Sequence, residues 1–341
     1  MKLHILDQLP KGFLDAPITG LGGTLPGPAL IDLPGRHDEP LFVSVLLHGN
    51  EDTGLLAMQE VLRRHQAQGL PRRLLLFVGN IAAAAAGVRT LPDQLDFNRA
   101  WPGTLSPDRP EATLMRQVVD LATEAKPYAS IDIHNNTGLN PHYGCLNRLE
   151  PEFLHLARLF SRTVVYFEKP VGVQSMAMAE ICPAVTVECG KTGDRSAIDH
   201  AAEFIEACLS QNGFPDHPPN PADFDLLRTF AVVKVPPEAT FSFDGGDASF
   251  RFRPDIDHLN FGALESGTAL GERADGCDGR LLLDIEADAP VAEYFDYSDD
   301  TIRLRQEAIP AMLTRDPEAV RLDCLCYLMH HIDFEGRRRD G

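Results

Sequence analysis

The sequence is poor in positive charge. It has 341 residues, of which 31 are lysine or arginine and 50 are aspartate or glutamate, so the net charge is −19 with histidine neutral. A protein that binds nucleic acid needs clustered basic side chains to displace counterions from the phosphate backbone. The one run of three basic residues, Arg337–Arg339, lies at the C-terminal end of the sequence. We therefore expect no nucleic-acid partner.

The sequence also lacks a disulfide framework and long apolar segments. Its seven cysteines are an odd number spread along the chain, which favours reduced thiols. No segment approaches the roughly 20 apolar residues that span a membrane. The opening residues, MKLHILDQLPKG, contain no apolar stretch of signal-peptide length. These absences predict a cytoplasmic protein with no membrane partner.

Short apolar runs alternate with helix-like segments through residues 40–210, and 44% of all residues are hydrophobic. The strand candidates are nearly continuous in apolar character and fall at 41–47, 74–78, 131–133, 163–167 and 184–187. The helix candidates repeat apolar residues at helical spacing and fall at 54–68, 110–125, 151–160 and 199–209. This alternation predicts an α/β domain with a mixed, mostly parallel sheet flanked by helices.

The composition changes after residue 210. Four prolines occur within residues 211–221 (QNGFPDHPPNP), and this stretch predicts a linker or an ordered loop over 211–225. The linker would separate a catalytic domain, residues 1–210, from a smaller β-rich domain, residues 226–341. In the β-rich part, apolar segments flank Asp244-Gly245-Gly246-Asp247, and this pattern predicts a β-hairpin.

Histidines follow two of the predicted strands. His48 comes directly after the strand at 41–47 and three residues before Glu51, and His134 ends the strand at 131–133. The carboxyl ends of parallel strands open into the crevice where α/β proteins place their sites. Two imidazoles and a carboxylate leave one coordination position open, as in a catalytic zinc site. A His-x-x-Glu pair alone is common, so a purely structural role for these residues stays open here.

Two further polar elements are candidates for chemistry. Glu188 ends the apolar strand at 184–187, where an unpaired carboxylate would be costly, and a general base acting on water fits this position. The loop at 96–103 contains the only tryptophan and Arg99, and Arg89 precedes it. Guanidinium and amide groups suit the binding of a carboxylate, although a solvent-exposed loop is the alternative.

Four motifs, taken in this order, resemble those of the zinc carboxypeptidase-like superfamily. They are His48-Gly49-Asn50-Glu51, Asp96-Phe97-Asn98-Arg99, Asp132-Ile133-His134-Asn135 and Val187-Glu188-Cys189-Gly190. Within the superfamily, the chain is most similar to the succinylglutamate desuccinylase/aspartoacylase branch. The resemblance runs over about residues 40–190, and it implies a β-rich domain after the catalytic one.

The resemblance also implies roles for individual residues. His48, Glu51 and His134 would bind one zinc ion per chain, Glu188 would activate water, and Arg89 would stabilise the oxyanion. The substrate would be held through its carboxylate by Asn98 and Arg99, and Asn135 and Thr137 would line the pocket.

The chain departs from the aspartoacylase pattern at one point. Aspartoacylases carry a further arginine shortly before the catalytic glutamate, which binds the side-chain carboxylate of N-acetylaspartate. Residues 175–179 (SMAMA) contain none, so a more apolar substrate side chain becomes plausible. Two questions stay open at this stage. The family's C-terminal tyrosine could be Tyr294 or Tyr297, and a second metal could use Asp132, His142 or Cys189.

We therefore expect a zinc-dependent hydrolase that cleaves the amide bond of an N-acyl amino acid or a related small acyl compound. One alternative is a metallocarboxypeptidase that acts on the C-termini of short peptides. The other is a non-catalytic zinc-binding protein of the same fold, against which the presence of Glu188 argues. The expected partner is a small-molecule substrate, and the sequence does not predict an oligomeric state.

Overall fold

The computed structural model describes residues 1–285 and 294–339, which divide into two compact units. The first unit comprises residues 1–135, 142–166 and 170–225, and the second comprises 136–141, 167–169 and the chain from 226 onward. None of the helices in the described part of the chain has the length and apolar character that crossing a bilayer requires.

The first unit is built on a mixed sheet. Its strands are β1 (His4–Leu6), β2 (Ala29–Leu33), β3 (Gly35–Val45), β4 (Leu70–Val78), β5 (Ala129–His134), β6 (Tyr143–Leu146), β7 (Thr163–Tyr166) and β8 (Ala184–Glu188). They lie in the order β1-β2-β4-β3-β5-β8-β6-β7. The pairs β2–β4 and β6–β8 are antiparallel and the other pairs are parallel. The predicted mixed, mostly parallel sheet is confirmed.

Helices flank this sheet. They are α1 (Thr53–His65), α2 (Ile81–Ala86), α3 (Pro110–Ala125), α4 (Pro151–Phe160), α5 (Gln174–Met178) and α6 (Arg195–Ser210). The bounds of α3 and α4 agree with the prediction, and each begins with proline, which suits the first position of a helix. α6 begins four residues earlier than predicted, where the Asp194 carboxylate accepts a hydrogen bond from Ser196 N at 2.9 Å.

The alternation of side chains along β5 places helices on its two faces. Gly54 of α1 lies against Ile133, where a Cβ added to the glycine would come within 3.0 Å of the isoleucine Cβ. Ser130 points to the other face and accepts a hydrogen bond from Gln174 of α5 at 2.8 Å. Asp132 and His134 share the face of Ser130 by the same alternation, so the polar side chains of β5 lie together.

The proline-rich stretch belongs to the first unit. Its carbonyl groups accept hydrogen bonds from side chains of that unit, with Arg72 Nη2 donating to Gln211 O at 2.6 Å and His155 Nε2 lying 2.9 Å from His217 O. Phe214 stacks on Tyr128 with 5.7 Å between ring centroids. These contacts hold the proline-rich stretch against the first unit, and the domain boundary at 211–225 stays a prediction.

The second unit is rich in β-structure. Its elements are β9 (Asp225–Lys234), β10 (Phe241–Ser242), β11 (Phe250–Phe252), β12 (Ala269–Arg273), β13 (Leu282–Ile285), β14 (Phe295–Asp296), β15 (Thr301–Leu304), β16 (Ile309–Ala311), α7 (Pro317–Leu322) and β17 (Cys326–His331). β9 pairs with β13 and β17, and β16 pairs with β17, all antiparallel. A separate sheet has the order β10-β11-β12-β15-β14. The apolar side chains of these strands form one buried cluster.

The predicted β-hairpin at residues 240–252 is wrong. β10 and β11 pair in parallel, with Phe241 opposite Phe250. The segment between them buries Phe243 and Ala248, which are 6% and 7% exposed, so the chain crosses over the apolar cluster instead of folding back at the glycine pair. Burial of these two side chains overrides the turn signal of Gly245-Gly246.

Both candidate tyrosines lie in the second unit. Tyr294 is 1% exposed, and the Tyr297 hydroxyl accepts a hydrogen bond from Leu281 N at 3.0 Å.

Candidate active site

A strained turn carries His48. β3 ends at Val45, and Leu46 adopts a left-handed conformation with φ of 57°, which is uncommon for a residue other than glycine. Its carbonyl oxygen accepts a hydrogen bond from Asn80 N at 2.6 Å, just before α2. The strand therefore ends two residues earlier than predicted, and the turn brings His48 to the edge of the sheet.

Gly49 allows the turn to lie directly on α2. A Cβ at this position would come within 2.2 Å of Ala84 N, a distance that excludes every other residue without a backbone shift. Gly49 N also donates to Arg89 O at 3.0 Å. The alanine run at 82–86 lies in the short helix α2, whose small side chains permit this close approach.

His48, Glu51 and His134 come together in one buried cluster. His48 Nδ1 lies 2.7 Å from Glu51 Oε1, and His134 Nδ1 lies 2.8 Å from Glu51 Oε2. The two Nδ1 atoms are 3.2 Å apart. The three side chains are 3%, 7% and 3% exposed, and their ligand atoms all lie within 4.8 Å of one another. The structure therefore brings together the three residues predicted to bind a metal.

A carboxylate holds the outer nitrogen of each histidine. His48 Nε2 lies 3.0 Å from Asp96 Oδ1, and His134 Nε2 lies 2.8 Å from Asp132 Oδ2. Ser44 Oγ donates to Asp132 Oδ1 at 2.5 Å, so both oxygens of this buried carboxylate have partners. Metal-binding histidines commonly donate their second N–H to a carboxylate, which orients the ring and increases the basicity of the ligand nitrogen.

We did not predict these roles from the sequence. Asp96 and Asp132 lie inside the recognised motifs, but the motifs alone do not say which histidine each aspartate supports. A metal-binding histidine usually has a carboxylate on its second ring nitrogen. This rule would have predicted Asp132 as the partner of His134, because it lies two residues earlier on the same strand face. It could not have selected Asp96, which reaches His48 across 48 residues of chain.

The donor set and its charge fit a divalent cation. Imidazole nitrogens with a carboxylate oxygen are zinc ligands, and three protein ligands are typical of catalytic sites. The carboxylates of Glu51, Asp96 and Asp132 outnumber the guanidinium groups of Arg89 and Arg99, whose charges act on this site. Although burial opposes ionisation, the two cluster histidines lower the pKa of Glu51 below its ordinary value. A metal ligand must be a neutral imidazole, and with both histidines neutral the site carries excess negative charge that a bound cation would balance.

Asp96 connects the cluster to the loop that follows it. Arg89 Nε and Nη2 donate to Asp96 Oδ2 at 3.2 and 3.1 Å, and Asn98 N donates to Oδ1 at 2.7 Å. Burial works against ionisation, but the charges of His48 and Arg89 hold the pKa of Asp96 well below its usual range. Arg89 Nη1 also lies 3.7 Å from Glu51 Oε1. One carboxylate therefore positions a ligand histidine and the residues predicted for oxyanion and substrate binding.

The two residues predicted to hold a substrate carboxylate lie on the 3-10 turn Phe97–Arg99. The Asn98 amide nitrogen lies 3.3 Å from His134 Nε2, which places this side chain beside the cluster. Arg99 is half-buried, and its Nη1 donates to Asn98 O at 2.8 Å. Both therefore belong to the same corner of the first unit as the cluster.

Glu188 ends β8 directly beside His134, its register partner on β5. Burial raises the pKa of Glu188 to about 7, and the negative charge of Glu51 acts in the same direction. Its Oε2 atom is buried and has no hydrogen-bond partner among the described residues. A carboxyl group with a pKa near neutrality and an unused oxygen is suited to accept and return a proton.

Asn135 and Thr137 differ in their surroundings. The Asn135 amide nitrogen donates to Thr53 Oγ1 at 2.8 Å and to Gly190 O at 2.9 Å, and its backbone N donates to Glu51 Oε2 at 3.2 Å. Asn135 therefore braces the start of α1 and the carboxylate of Glu51. Thr137 is exposed and belongs to the second unit. Substrate binding by these two residues stays a prediction.

The described residues contain one candidate metal site. Among them, His48, Glu51 and His134 are the one group of three or more ligand side chains whose ligand atoms lie close enough for one ion. Asp132 is already held between Ser44 and His134.

The chain is similar to one known protein family and to several solved structures. Residues 39–211 match the model of the succinylglutamate desuccinylase/aspartoacylase catalytic domain. A succinylglutamate desuccinylase/aspartoacylase structure from Rhodobacter sphaeroides is similar with a TM-score of 0.61 and 14% identity, over 89% of this chain and 88% of that chain. Murine aminoacylase 3 is similar with a TM-score of 0.56 and 16% identity, over 86% of this chain and 95% of that chain.

A third similar structure is the succinylglutamate desuccinylase from Chromobacterium violaceum, with a TM-score of 0.52 and 22% identity, over 69% of this chain and 76% of that chain. At these identities the structural likenesses establish the fold alone. A comparison with curated protein sequences gave no match.

Proposed function

This chain belongs to the succinylglutamate desuccinylase/aspartoacylase family, and from that premise we propose that it is a zinc-dependent hydrolase that cleaves the amide bond of an N-acyl amino acid. The observation that carries the proposal is the buried His48-Glu51-His134 cluster with Glu188 next to it in the sheet. A structural role for the cluster would not require a partly unpaired glutamate at its side.

His48, Glu51 and His134 would hold the zinc ion, and Asp96 and Asp132 would keep the two imidazoles in the required orientation. When bound, zinc supplies Lewis-acid chemistry, which polarises a carbonyl group and makes a water molecule more acidic.

Proton transfer is the task of Glu188 in this proposal. Its carboxylate removes a proton from water as the oxygen attacks the amide carbonyl carbon, and it then delivers the proton to the nitrogen of the departing amine. A pKa of about 7, which follows from burial, suits both steps near neutral pH. The transfer cleaves the amide into a carboxylic acid and an amino acid.

Arg89 supports the charge that develops on the carbonyl oxygen. Its guanidinium is fixed by two hydrogen bonds to Asp96, so it need not reorganise during the reaction. Preorganised donors of this kind stabilise a transition state more than water does. Arg99 and Asn98 bind the substrate carboxylate, and the absence of a charged residue at 175–179 favours a substrate with an uncharged side chain.

Metal content and a substrate panel test the proposal together. We expect about one zinc per purified chain, since the structure offers one three-ligand set. Substitution of His48→Ala or His134→Ala should abolish zinc binding, and full occupancy in both variants would remove the site assignment.

The cytoplasmic location stays a prediction from the sequence.

The panel compares N-acyl amino acids of different side chains with dipeptides of matched sequence. Preferential hydrolysis of the N-acyl amino acids supports the proposal. Preferential release of the C-terminal residue from dipeptides would indicate a metallocarboxypeptidase instead. A zinc-loaded protein that hydrolyses neither class would be a non-catalytic member of the fold.

A further inference from the structure

We propose that the backbone N–H group of Gln174 is a positioning group that turns the Asn98 amide toward the substrate. Gln174 N donates to Asn98 Oδ1 at 3.0 Å, and the two residues are 0% and 8% exposed. The inference rests on the proposed function, because it deepens the role of Asn98 in substrate binding. In this proposal the Asn98 side chain binds the substrate through its NH2 group, and the Gln174 N–H group keeps the amide in the orientation that this requires.

The orientation follows from what each group is able to do. A backbone N–H only donates, so its partner on Asn98 must be the amide oxygen. The Asn98 NH2 group is then directed away from Gln174, and its nitrogen lies 3.3 Å from His134 Nε2, the ring nitrogen that faces Asp132. Because this ring nitrogen donates its own hydrogen to Asp132 when Nδ1 binds a metal, it does not accept one from Asn98. The NH2 group has two hydrogens to donate and cannot accept a hydrogen bond, so it is suited to bind a carboxylate or carbonyl oxygen of the substrate.

Three contacts fix the segment that carries the N–H group. Gly172 O accepts a hydrogen bond from Trp101 N at 3.0 Å. Gly172 has φ of 77°, and a Cβ on it would come within 2.8 Å of Arg99 O. The Gln174 side chain donates from Nε2 to Ser130 Oγ at 2.8 Å, on the same strand as His134. Residues 172–174 therefore join β5 to the loop that presents Asn98 and Arg99.

The position of Gln174 permits a substitution that removes only the donor. It is the first residue of α5, where proline is tolerated because the N–H there has no partner within the helix. Val173 before it is extended, with φ −92° and ψ 157°, which is the conformation that proline requires of its predecessor. Gln174→Pro removes the N–H and the side chain, while Gln174→Ala removes the side chain alone. The difference between the two variants therefore measures the contribution of the N–H group alone.

The first measurement needs no substrate. The side-chain amide resonance of Asn98 is assigned in zinc-loaded protein by its loss in Asn98→Ala. We expect this resonance to shift in Gln174→Pro and to stay near its wild-type position in Gln174→Ala. An unmoved resonance in a folded Gln174→Pro protein would overturn the proposal, whatever the activity.

The second measurement uses N-acetylglycine, which has an acyl group and a carboxylate but no side chain. Gln174→Pro should raise KM about tenfold over Gln174→Ala, with a small change in kcat and unchanged zinc content, because the group acts in substrate binding. The effect should vanish in an Asn98→Ala background, since the N–H acts through Asn98. An equal effect in that background would show a general structural role and would overturn the proposal.

Asn98→Asp provides a test that does not depend on proline being tolerated. Gln174 N would still bond one carboxylate oxygen, and the other would face the substrate in place of the NH2 group. We expect KM to rise more than in Asn98→Ala, and a smaller rise would mean that the amide faces the other way.

If wild type fails on the whole substrate panel while the Asn98 resonance still moves in Gln174→Pro, the proposed function fails and the positioning role stands.

Discussion

The site has two halves that are built in different ways. The strand half consists of Asp132 and His134 on β5 and Glu188 on β8, whose positions follow from strand register and side-chain alternation. The loop half consists of residues 89–99, which include only a short 3-10 turn and depend on the Asp96 carboxylate for their arrangement. A sheet fixes its polar residues through backbone hydrogen bonds, whereas the loop needs side-chain partners that are distant in sequence.

The strand half should show the largest single effect. Glu188→Gln preserves size and polarity but cannot accept a proton from water. We expect kcat to fall by about 10²–10⁴-fold, the usual loss when general acid–base catalysis is removed. Zinc content should be unchanged because Glu188 is not a ligand, and the acidic limb of the pH–rate profile should disappear. A folded, zinc-loaded variant with more than about a tenth of wild-type turnover would contradict the assignment.

The next effect separates the two arginines of the loop half. Arg89→Ala should lower kcat by about 10²–10³-fold, because its partner is an oxyanion that exists only during the reaction. Arg99→Ala should instead raise KM, because a carboxylate contact acts equally on the ground and transition states. Steady-state kinetics with one N-acyl amino acid and its amide derivative, which lacks the carboxylate, distinguish the roles. The reverse pattern would show that we have exchanged them.

Removal of one carboxylate from each half tests the comparison itself. Asp132→Ala and Asp96→Ala should each weaken zinc binding by about 10–100-fold, because each removes the support of one ligand histidine. Asp96→Ala should also raise KM and lower kcat, since Asn98, which binds substrate, and Arg89, which stabilises the oxyanion, lose their common acceptor. Zinc competition with a chelator measures the first effect, and kinetics at saturating zinc measure the second. Equal kinetic effects of the two variants would remove the distinction between the halves.

The smallest effect concerns stability of the strand half without metal. In the folded protein burial raises the pKa of Glu188 to about 7, so the unfolded chain releases this proton at a lower pH than the folded chain. Wild-type stability should therefore fall as the pH rises from about 4.5 to about 7. Above that range Glu188→Gln should be more stable than wild type by up to roughly 3 kcal/mol, the free energy that corresponds to the difference between the two pKa values. Urea unfolding of metal-free protein at pH 5 and pH 8 checks this, and a difference that does not grow with pH would contradict it.

Local sequence patterns predict the strand half well. The apolar runs before His134 and Glu188 identify buried strands, and parallel pairing then brings their ends together. The helices at 110–125 and 151–160 were equally readable, because a proline start and an apolar face are local signals. Each of these features is encoded within one segment.

Features that depend on contacts between distant segments were not predictable. The support of His48 by Asp96, the left-handed Leu46 and the contact of Gly49 with α2 each need a partner that the sequence does not specify. The predicted hairpin failed for the same reason, because burial of Phe243 outweighed a local turn signal. Sequence reasoning found which residues meet at the site, but not what keeps the loop residues in place.

If the chain binds zinc as proposed, the sharing of Asp96 couples the metal site to the substrate site. Its carboxylate supports the ligand His48 through Oδ1 and contacts Asn98 and Arg89 at the substrate side. Two sites coupled through one support change each other's affinity by the same factor, so a substrate carboxylate that tightens the contacts of Asp96 would also tighten zinc binding. The loaded fraction of the enzyme would then depend on substrate abundance as well as on zinc supply.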